Sequence, residues 1–281
     1  RLSCNYFFAD FYLGEEFANG DFTHYPNEKW FKVAEDEVPQ GIMDESLWDY
    51  FDPERELTAS HLSDFNSGNF ERGICTVPYT RQRDGQEIYI PVNVIGNIFV
   101  SNGMSAGNTK FEARVQGLSE VFERAIKNRI IAEGISLPIV PEEIVKQYPK
   151  IHEACEELRS HGFHLRIADA SLGGKYPVMS VTLINPVDGS VFASFGAHPS
   201  FEVALERTVT ELLQGRRLDQ LDVFQPATFD NDEVATPENI ELHFIDSSGL
   251  ISHDFFRSEA DFEFVHWDFS GSTEQEYNFC T

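Results

Sequence analysis

The chain has 281 residues, of which 41% are apolar and 24% are charged, a composition typical of a folded globular protein. No apolar run approaches the ~20 residues that a membrane-spanning helix needs, so the sequence excludes a transmembrane span. The formal net charge of −26 disfavours nucleic acid as a direct partner, because the surface as a whole would repel a polyanion.

The two ends of the sequence predict that it is part of a longer protein, and the cysteines predict the redox state of its thiols. It begins at Arg1 without the basic, apolar and small-residue segments of a signal peptide. It stops soon after a helix start at Ser272 or Thr273. We therefore expect a piece of a longer protein. The cysteines form no Cys-x-x-Cys pair, which predicts reduced thiols in a cytoplasmic protein, with a disulfide as the alternative. They are Cys4, Cys75, Cys155 and Cys280.

The first 100 residues carry weak structural signals. The first 70 are aromatic-rich and acidic, and they predict helices near residues 3–18 and 43–50. Residues 87–100, EIYIPVNVIGNIFV, are apolar and β-branched around Pro91, which predicts two short strands or one bulged strand.

Stronger periodicity follows, and a single α/β domain over residues 1–281 is the simplest organisation. The clearest predicted helix spans 110–133, and Thr109 and Glu112 fit a capping box at its start. Further helices are predicted over 141–161 and 201–214. Strands are predicted over 163–168, 178–184 and 191–195, with NPVDG as the hairpin turn between the last two. Beyond Arg216 the acidic sequence predicts extended connections and short strands.

Carboxylates follow one face of the helix predicted over 110–133. At 100° per residue, Glu112, Gln116, Glu120 and Glu123 fall within an arc of about 80°. Magnesium prefers such oxygen ligands, usually together with phosphate oxygens. The small residues of SNGMSAGNT just before the helix would let backbone amides approach a phosphate. A magnesium–phosphate site is therefore one interpretation of this face, although no Walker A sequence is present.

A solvated helix face is the other interpretation. Glu120 with Arg124, and Glu123 with Lys127, are i,i+4 pairs of the kind that ordinary exposed helices carry. Arg207 and Glu211 show the same spacing on the helix predicted over 201–214. The nine histidines have no metal-ligand spacing, and Ser247-Ser248-Gly249 predicts a turn, with a substrate-binding role as the alternative.

Two strings, SNGMSAGNTKFEARVQGLSEVFER and FGAHPSFEVALERTVTELLQGR, resemble the YcaO family, and in particular its stand-alone bacterial members. The likeness extends through NYFFADF, HYPNEKWF and FIDSSGLIS, so it covers essentially the whole chain. It implies an α/β (α+β) fold of the YcaO ATP-binding type, with mixed sheets and packed helices and without a P-loop.

The resemblance also implies an ATP and Mg²⁺ site. By this likeness, ATP is bound by Ser105, Asn108, Glu112, Arg124 and Arg207. The metal is held by Glu120, Glu123 and Glu211, whereas no catalytic residue is assigned. Further metal-binding glutamates are expected before Arg1, and a C-terminal region is expected after Thr281, so the chain would be a partial ATP-binding domain.

Two functions follow from the family likeness. The wider family uses ATP to activate peptide backbone amides, forming an azoline, thioamide or amidine. The stand-alone members are linked instead to β-methylthiolation of an aspartate in a small-subunit ribosomal protein, assisting a radical methylthiotransferase. We expect the second role, with these two proteins as partners. A non-catalytic module whose acidic surface binds a basic partner is a third hypothesis. The sequence leaves open ATP hydrolysis and whether the protein is a homodimer.

Overall fold

The computed structural model describes residues 27–63, 72–81, 83–96, 102–212, 224–269 and 271–281. The chain divides into two compact units, residues 1–100 and 101–281. The helix predicted at 3–18 lies outside the described residues. No helix within the described ranges combines the length and the apolarity that crossing a bilayer would require.

The first unit contains a three-stranded antiparallel sheet and short helices. Strand β1 (Lys29–Phe31) pairs with β2 (Ile74–Thr80), and β2 pairs with β3 (Glu87–Pro91). Helix α1 (Glu45–Phe51) confirms the helix predicted near 43–50, and the short α2 (Ala59–Leu62) follows it.

Residues 92–96 correct the prediction of a second strand in this region. They form a short helix, α3 (Val92–Gly96), directly after β3. Pro91 is the last residue of β3, and its nitrogen carries no hydrogen for continuing a strand ladder. The rest of the predicted strand region, 97–100, lies outside the described residues.

The second unit is built on an antiparallel sheet in the order β4-β5-β6. Its strands are β4 (His164–Asp169), β5 (Val178–Ile184) and β6 (Val191–Ala197), which confirms the three predicted strands and the hairpin turn. The central strand β5 is buried on both faces along nearly its whole length. Helices therefore cover the sheet on both sides, as its alternating side chains enter two separate apolar clusters.

Within the described part of the second unit, eight helical segments accompany this sheet. They are α4 (Lys110–Ala132), α5 (Glu142–Val145), α6 (Pro149–Ser160), α7 (Phe201–Glu211), α8 (Asn231–Val234), α9 (Pro237–Ile245), a 3-10 helix (His253–Phe256) and α10 (Thr273–Cys280). Helices α6 and α7 pack on one face of the sheet, and α4 packs on the other. The α/β class is confirmed, and the parallel pairings among the described residues are isolated bridges.

The start of α4 differs in one detail from the predicted capping box. The Thr109 hydroxyl accepts from the backbone N–H of Glu112, as predicted. The Glu112 carboxylate, however, accepts from the N–H of Asn108 at 2.7 Å, one residue earlier than the reciprocal partner expected. The loop before α4 is thereby fixed to the first turn of the helix.

Two other predictions of secondary structure are wrong. The helix predicted over 141–161 is broken into α5 and α6 at Tyr148, because Pro149 occupies the first turn of α6 and disfavours helical backbone in the residue before it. The acidic segment after 216 contains helices rather than mainly extended chain. The N-caps of the three helices that were not predicted are Asp230, Thr236 and Ser252, each accepting a backbone N–H. The helix start predicted at Ser272 or Thr273 is confirmed by α10, whose N-cap is Ser272.

Candidate functional site

A polar cavity of about 380 Å³ lies in the second unit, bordered by α4, α7 and the residues at the end of α9. Strand β6 is at the edge of its sheet, and α4 and α7 pack against opposite faces of that sheet. A side-chain hydrogen bond joins the two helices, because Arg207 Nη2 of α7 donates to Gln116 Oε1 of α4. Arg207 Nη1 donates to the Ala197 carbonyl at 3.2 Å, which ties the same side chain to β6.

The structure brings five of the eight predicted ligands together around this cavity. Residues from α4 and α7 face the same space although about 80 to 90 positions separate them in sequence. The five are Glu120, Glu123, Arg124, Arg207 and Glu211. Their grouping meets the geometric requirement for a shared site, while their ligand roles stay predictions.

The other three predicted ligands, Ser105, Asn108 and Glu112, lie before or in the first turn of α4 and do not line the cavity. Glu112 precedes Glu120 by eight residues, which is about 12 Å along a helix axis. Ser105 Oγ donates to the Ala113 carbonyl, and Asn108 and Glu112 bond to each other. In the structure these side chains bond to the loop and to the first turns of α4. Their contacts with a nucleotide therefore stay predictions.

Glycine allows the loop before α4 to lie directly against the helix. A Cβ at Gly117 would be 2.7 Å from the Gly103 carbonyl oxygen and 3.0 Å from Ser105 Oγ. Gly103 itself has a positive φ of 76°. The loop therefore lies against α4 at Gly117, and a Cβ at Gly103 would be 2.9 Å from Val121 Cγ2.

The carboxylates of the cavity are held in an unfavourable electrostatic environment. Burial raises the pKa of Glu123, and the nearby Glu211 carboxylate raises it further. Burial likewise raises the pKa of Glu211, although the charges of Lys127 and Arg207 oppose that rise. Glu120 is paired with Arg124 at 2.9 Å. Crowded, partly desolvated carboxylates of this kind are typical of cation-binding and catalytic sites.

Several lining residues were not assigned to the site from the sequence. Gln116 was placed on the acidic face without a role, and Lys127 appeared only in the alternative interpretation of a solvated helix face, as the partner of Glu123. The exposed interpretation is wrong for Lys127, which is only 5% exposed and donates from Nζ to Ser247 Oγ at 3.2 Å. Phe244 also lines the cavity, with the Arg124 guanidinium 4.7 Å from its ring centroid.

A second group of potential ligands lies outside this cavity. Ligand atoms of Glu142, His152 and Glu156 are within 4.8 Å of one another. The spacing of histidines along the sequence does not reveal this group, because two of its three members are glutamates. Arg159 Nη1 lies 2.5 Å from Glu156 and 3.6 Å from Glu142, so a guanidinium already balances these largely exposed carboxylates. An ordinary surface ion-pair network explains the group.

The described cysteines agree with the prediction of reduced thiols. Cys75, Cys155 and Cys280 are buried and form no disulfide with one another, and Cys4 lies outside the described residues. Burial raises the pKa of the Cys155 thiol to about 11, which keeps it protonated and unreactive.

Comparisons with known proteins agree with the family resemblance. The family model described as YcaO cyclodehydratase, ATP- and Mg²⁺-binding, matches residues 1–281. The Escherichia coli (strain K12) ribosomal protein S12 methylthiotransferase accessory factor YcaO is 64% identical over 278 residues, covering 99% of this chain and 47% of that protein. A Haemophilus influenzae protein is 62% identical over 279 residues, covering 99% of this chain and 48% of its own length. The chain thus spans about half the length of the curated relatives it matches.

A solved structure shows the same fold at low sequence identity. The heterocyclase TruD superimposes with a TM-score of 0.53 at 18% identity, over 95% of this chain and 39% of that one. The similarity concerns the architecture of the chain and carries no assignment of individual residues.

Proposed function

The chain belongs to the YcaO family, whose description is ATP- and Mg²⁺-binding, and from that premise we propose that the cavity between α4 and α7 binds ATP with magnesium. One observation carries the proposal. Glutamates of α4 and α7 border the same space together with two guanidinium groups. Carboxylate oxygens suit magnesium, and guanidinium groups suit phosphate, so the two ligand types that a metal–triphosphate needs are both present.

Each lining side chain has a proposed role. The metal is held by Glu120, Glu123 and Glu211, and when bound it offsets charge on the phosphates. Arg124 and Arg207 contact phosphate oxygens. Arg124 Nη1 is buried and has no hydrogen-bond partner among the described residues, so one strong donor is available for a ligand.

The loop before α4 would complete the nucleotide contacts. Ser105, Asn108 and Glu112 lie at the N-terminus of a 23-residue helix, where free amides and the helix dipole favour an anion. Binding through these side chains requires that their present local hydrogen bonds be exchanged for bonds to the ligand. We therefore expect them to contribute less to affinity than the cavity residues.

The biological role is proposed for the whole protein, of which the chain corresponds to about half the length of its relatives. The name of the 64% identical relative supports an accessory role in the β-methylthiolation of a small-subunit ribosomal protein, in association with a radical methylthiotransferase. The alternative is ATP-dependent activation of peptide amides. The cyclodehydratase description of the family and the fold shared with a heterocyclase favour that alternative.

Calorimetry on the full-length protein tests the nucleotide site. Glu120→Gln and Glu123→Gln each remove one metal-binding charge, so ATP affinity in the presence of magnesium should fall at least about tenfold. Glu143→Gln, an exposed glutamate of α5, is the matched control and should bind as the unaltered protein does. Equal affinity in the Glu123→Gln variant and the control would refute the site.

A second experiment separates the candidate roles. Pull-down of the ribosomal protein at low and high salt, with and without ATP, distinguishes a nucleotide-controlled accessory protein from a purely acidic docking surface. The first gives capture that depends on ATP, whereas the second gives capture that falls steeply with salt and ignores ATP. Conversion of a peptide amide with release of phosphate would instead favour amide activation.

A further inference from the structure

Lys127 is a buried cation in the wall of the cavity for which the proposed function gives no role. Only 5% of the residue is exposed, although lysine rarely occupies buried positions without a partner. It follows Glu123 by one helical turn on α4, and both side chains line the cavity. Burial lowers the pKa of Lys127, and the charges of Glu123, Glu211 and Asp246 oppose that fall whereas Arg124 adds to it.

The turn after α9 holds this ammonium in place. Ser247 has a positive φ of 62°, a conformation that residues with side chains rarely adopt. Asp246 Oδ1 accepts from the N–H of Ser248 at 3.0 Å and fixes the turn. In that conformation Ser247 Oγ accepts from Lys127 Nζ at 3.2 Å. Unusual backbone of this kind persists where the surrounding structure requires it, and here it contributes a wall of the cavity.

The position of Lys127 has opposite consequences for the two ligands. Its positive charge lowers the attraction of Glu123 and Glu211 for a divalent cation, and it raises the attraction of the cavity for a polyphosphate. It also offsets the mutual repulsion of two glutamates that face each other from α4 and α7. Burial away from water strengthens all three effects.

We propose that Lys127, held by Ser247, weakens the attraction of the cavity for a divalent cation, strengthens its attraction for a polyphosphate, and thereby sets the balance between metal and nucleotide affinity. The inference rests on the proposed function of the same cavity. It predicts that the unaltered protein binds Mg²⁺ more weakly alone than together with ATP.

Calorimetry on the full-length protein tests this by measuring Mg²⁺ alone and ATP in the presence of a chelator as two separate titrations. In Lys127→Met, Mg²⁺ affinity should rise about tenfold and metal-free ATP affinity should fall about tenfold, the order expected for one unit charge in a partly desolvated site. Lys127→Arg keeps the charge and should restore both affinities. Lys146→Met, an exposed lysine on the helical turn after α5, is the control and should change neither.

Ser247→Gly provides a second test, because glycine accepts the positive φ and removes the hydroxymethyl side chain that contacts Lys127. It should shift both affinities in the same directions as Lys127→Met, by a smaller factor. Joint loss of both affinities in Lys127→Met, or no change in either, would overturn the inference. If the unaltered protein binds Mg²⁺-ATP and Lys127→Met has the same two affinities as the unaltered protein, only this inference fails. If the unaltered protein binds neither ligand, the proposed function fails with it.

Discussion

The buried His243 on α9 predicts a specific dependence of stability on pH. The residue is 0% exposed, and its Nε2 lies 2.9 Å from the Leu250 carbonyl oxygen, so Nε2 carries the hydrogen and donates it. Nδ1 is buried without a hydrogen-bond partner among the described residues. Burial lowers the pKa of His243 from 6.5 to about 4, although the bond to Leu250 opposes that fall.

The sign follows from proton binding in the two states. A histidine whose folded pKa is depressed binds fewer protons when folded, so its contribution to stability is fully present above pH 6.5 and is lost as pH falls towards 4. The difference of 6.5 − 4, or about 2.5 pKa units, corresponds to about 3 kcal/mol at 1.36 kcal/mol per unit. We therefore expect unfolding free energy to decrease by up to about that amount across this window.

Urea unfolding at several pH values between 7.5 and 4, in the unaltered chain and in His243→Gln, measures the effect. The glutamine amide can donate to Leu250 but does not titrate, so the variant should lose stability less steeply as pH falls from 6.5. The other titrating groups, including His198, are common to both proteins and cancel in the difference. His164→Gln, at an exposed position, is the control. Parallel curves for the unaltered chain and His243→Gln would refute the reasoning.

Two further predictions concern the packing of the loop before α4 and the phosphate contacts of the cavity. Gly117→Ala places a methyl group 2.7 Å from the backbone oxygen of Gly103. The unfolding free energy, measured by urea unfolding, should therefore fall by about 1 to 3 kcal/mol. Unchanged stability would show that the loop moves freely. Arg207→Lys removes the fork that reaches both Gln116 and Ala197, so Mg²⁺-ATP affinity should fall about tenfold with little change in fold by circular dichroism. Retained affinity would show that the fork is dispensable.

Local patterns predicted the elements of the second unit well where the signal lies within the element. The strand alternation, the Thr109 cap and the periodicity of α4 are all encoded within a few residues, and their bounds were predicted to within one or two positions. The break at Tyr148 was missed although Pro149 signals it, because the apolar period continues on both sides of the proline. Helices α8 and α9 were missed because each is short and is stabilised by its cap and packing rather than by a long period.

The site was predictable in part for the same reason. The stripe of glutamates on α4 follows from helical geometry alone, whereas its meeting with Glu211 was expected only from the family resemblance. The burial of Lys127 could not be predicted, because the residue that contacts it, Ser247, lies 120 positions later in the chain. A sequence pattern on one helix carries no information about which distant turn will cover it.

The three walls of the cavity come from segments around residues 116–127, 192–211 and 244–247, which no local folding event can bring together. Any occupant would act as a non-covalent crosslink between the early, middle and late parts of the second unit. Its binding free energy would then add to the cooperative stability of that whole unit, as mass action requires for a ligand that recognises only the folded state. A growing polypeptide on the ribosome gains this stabilisation only after the residues that follow α9 have been synthesised.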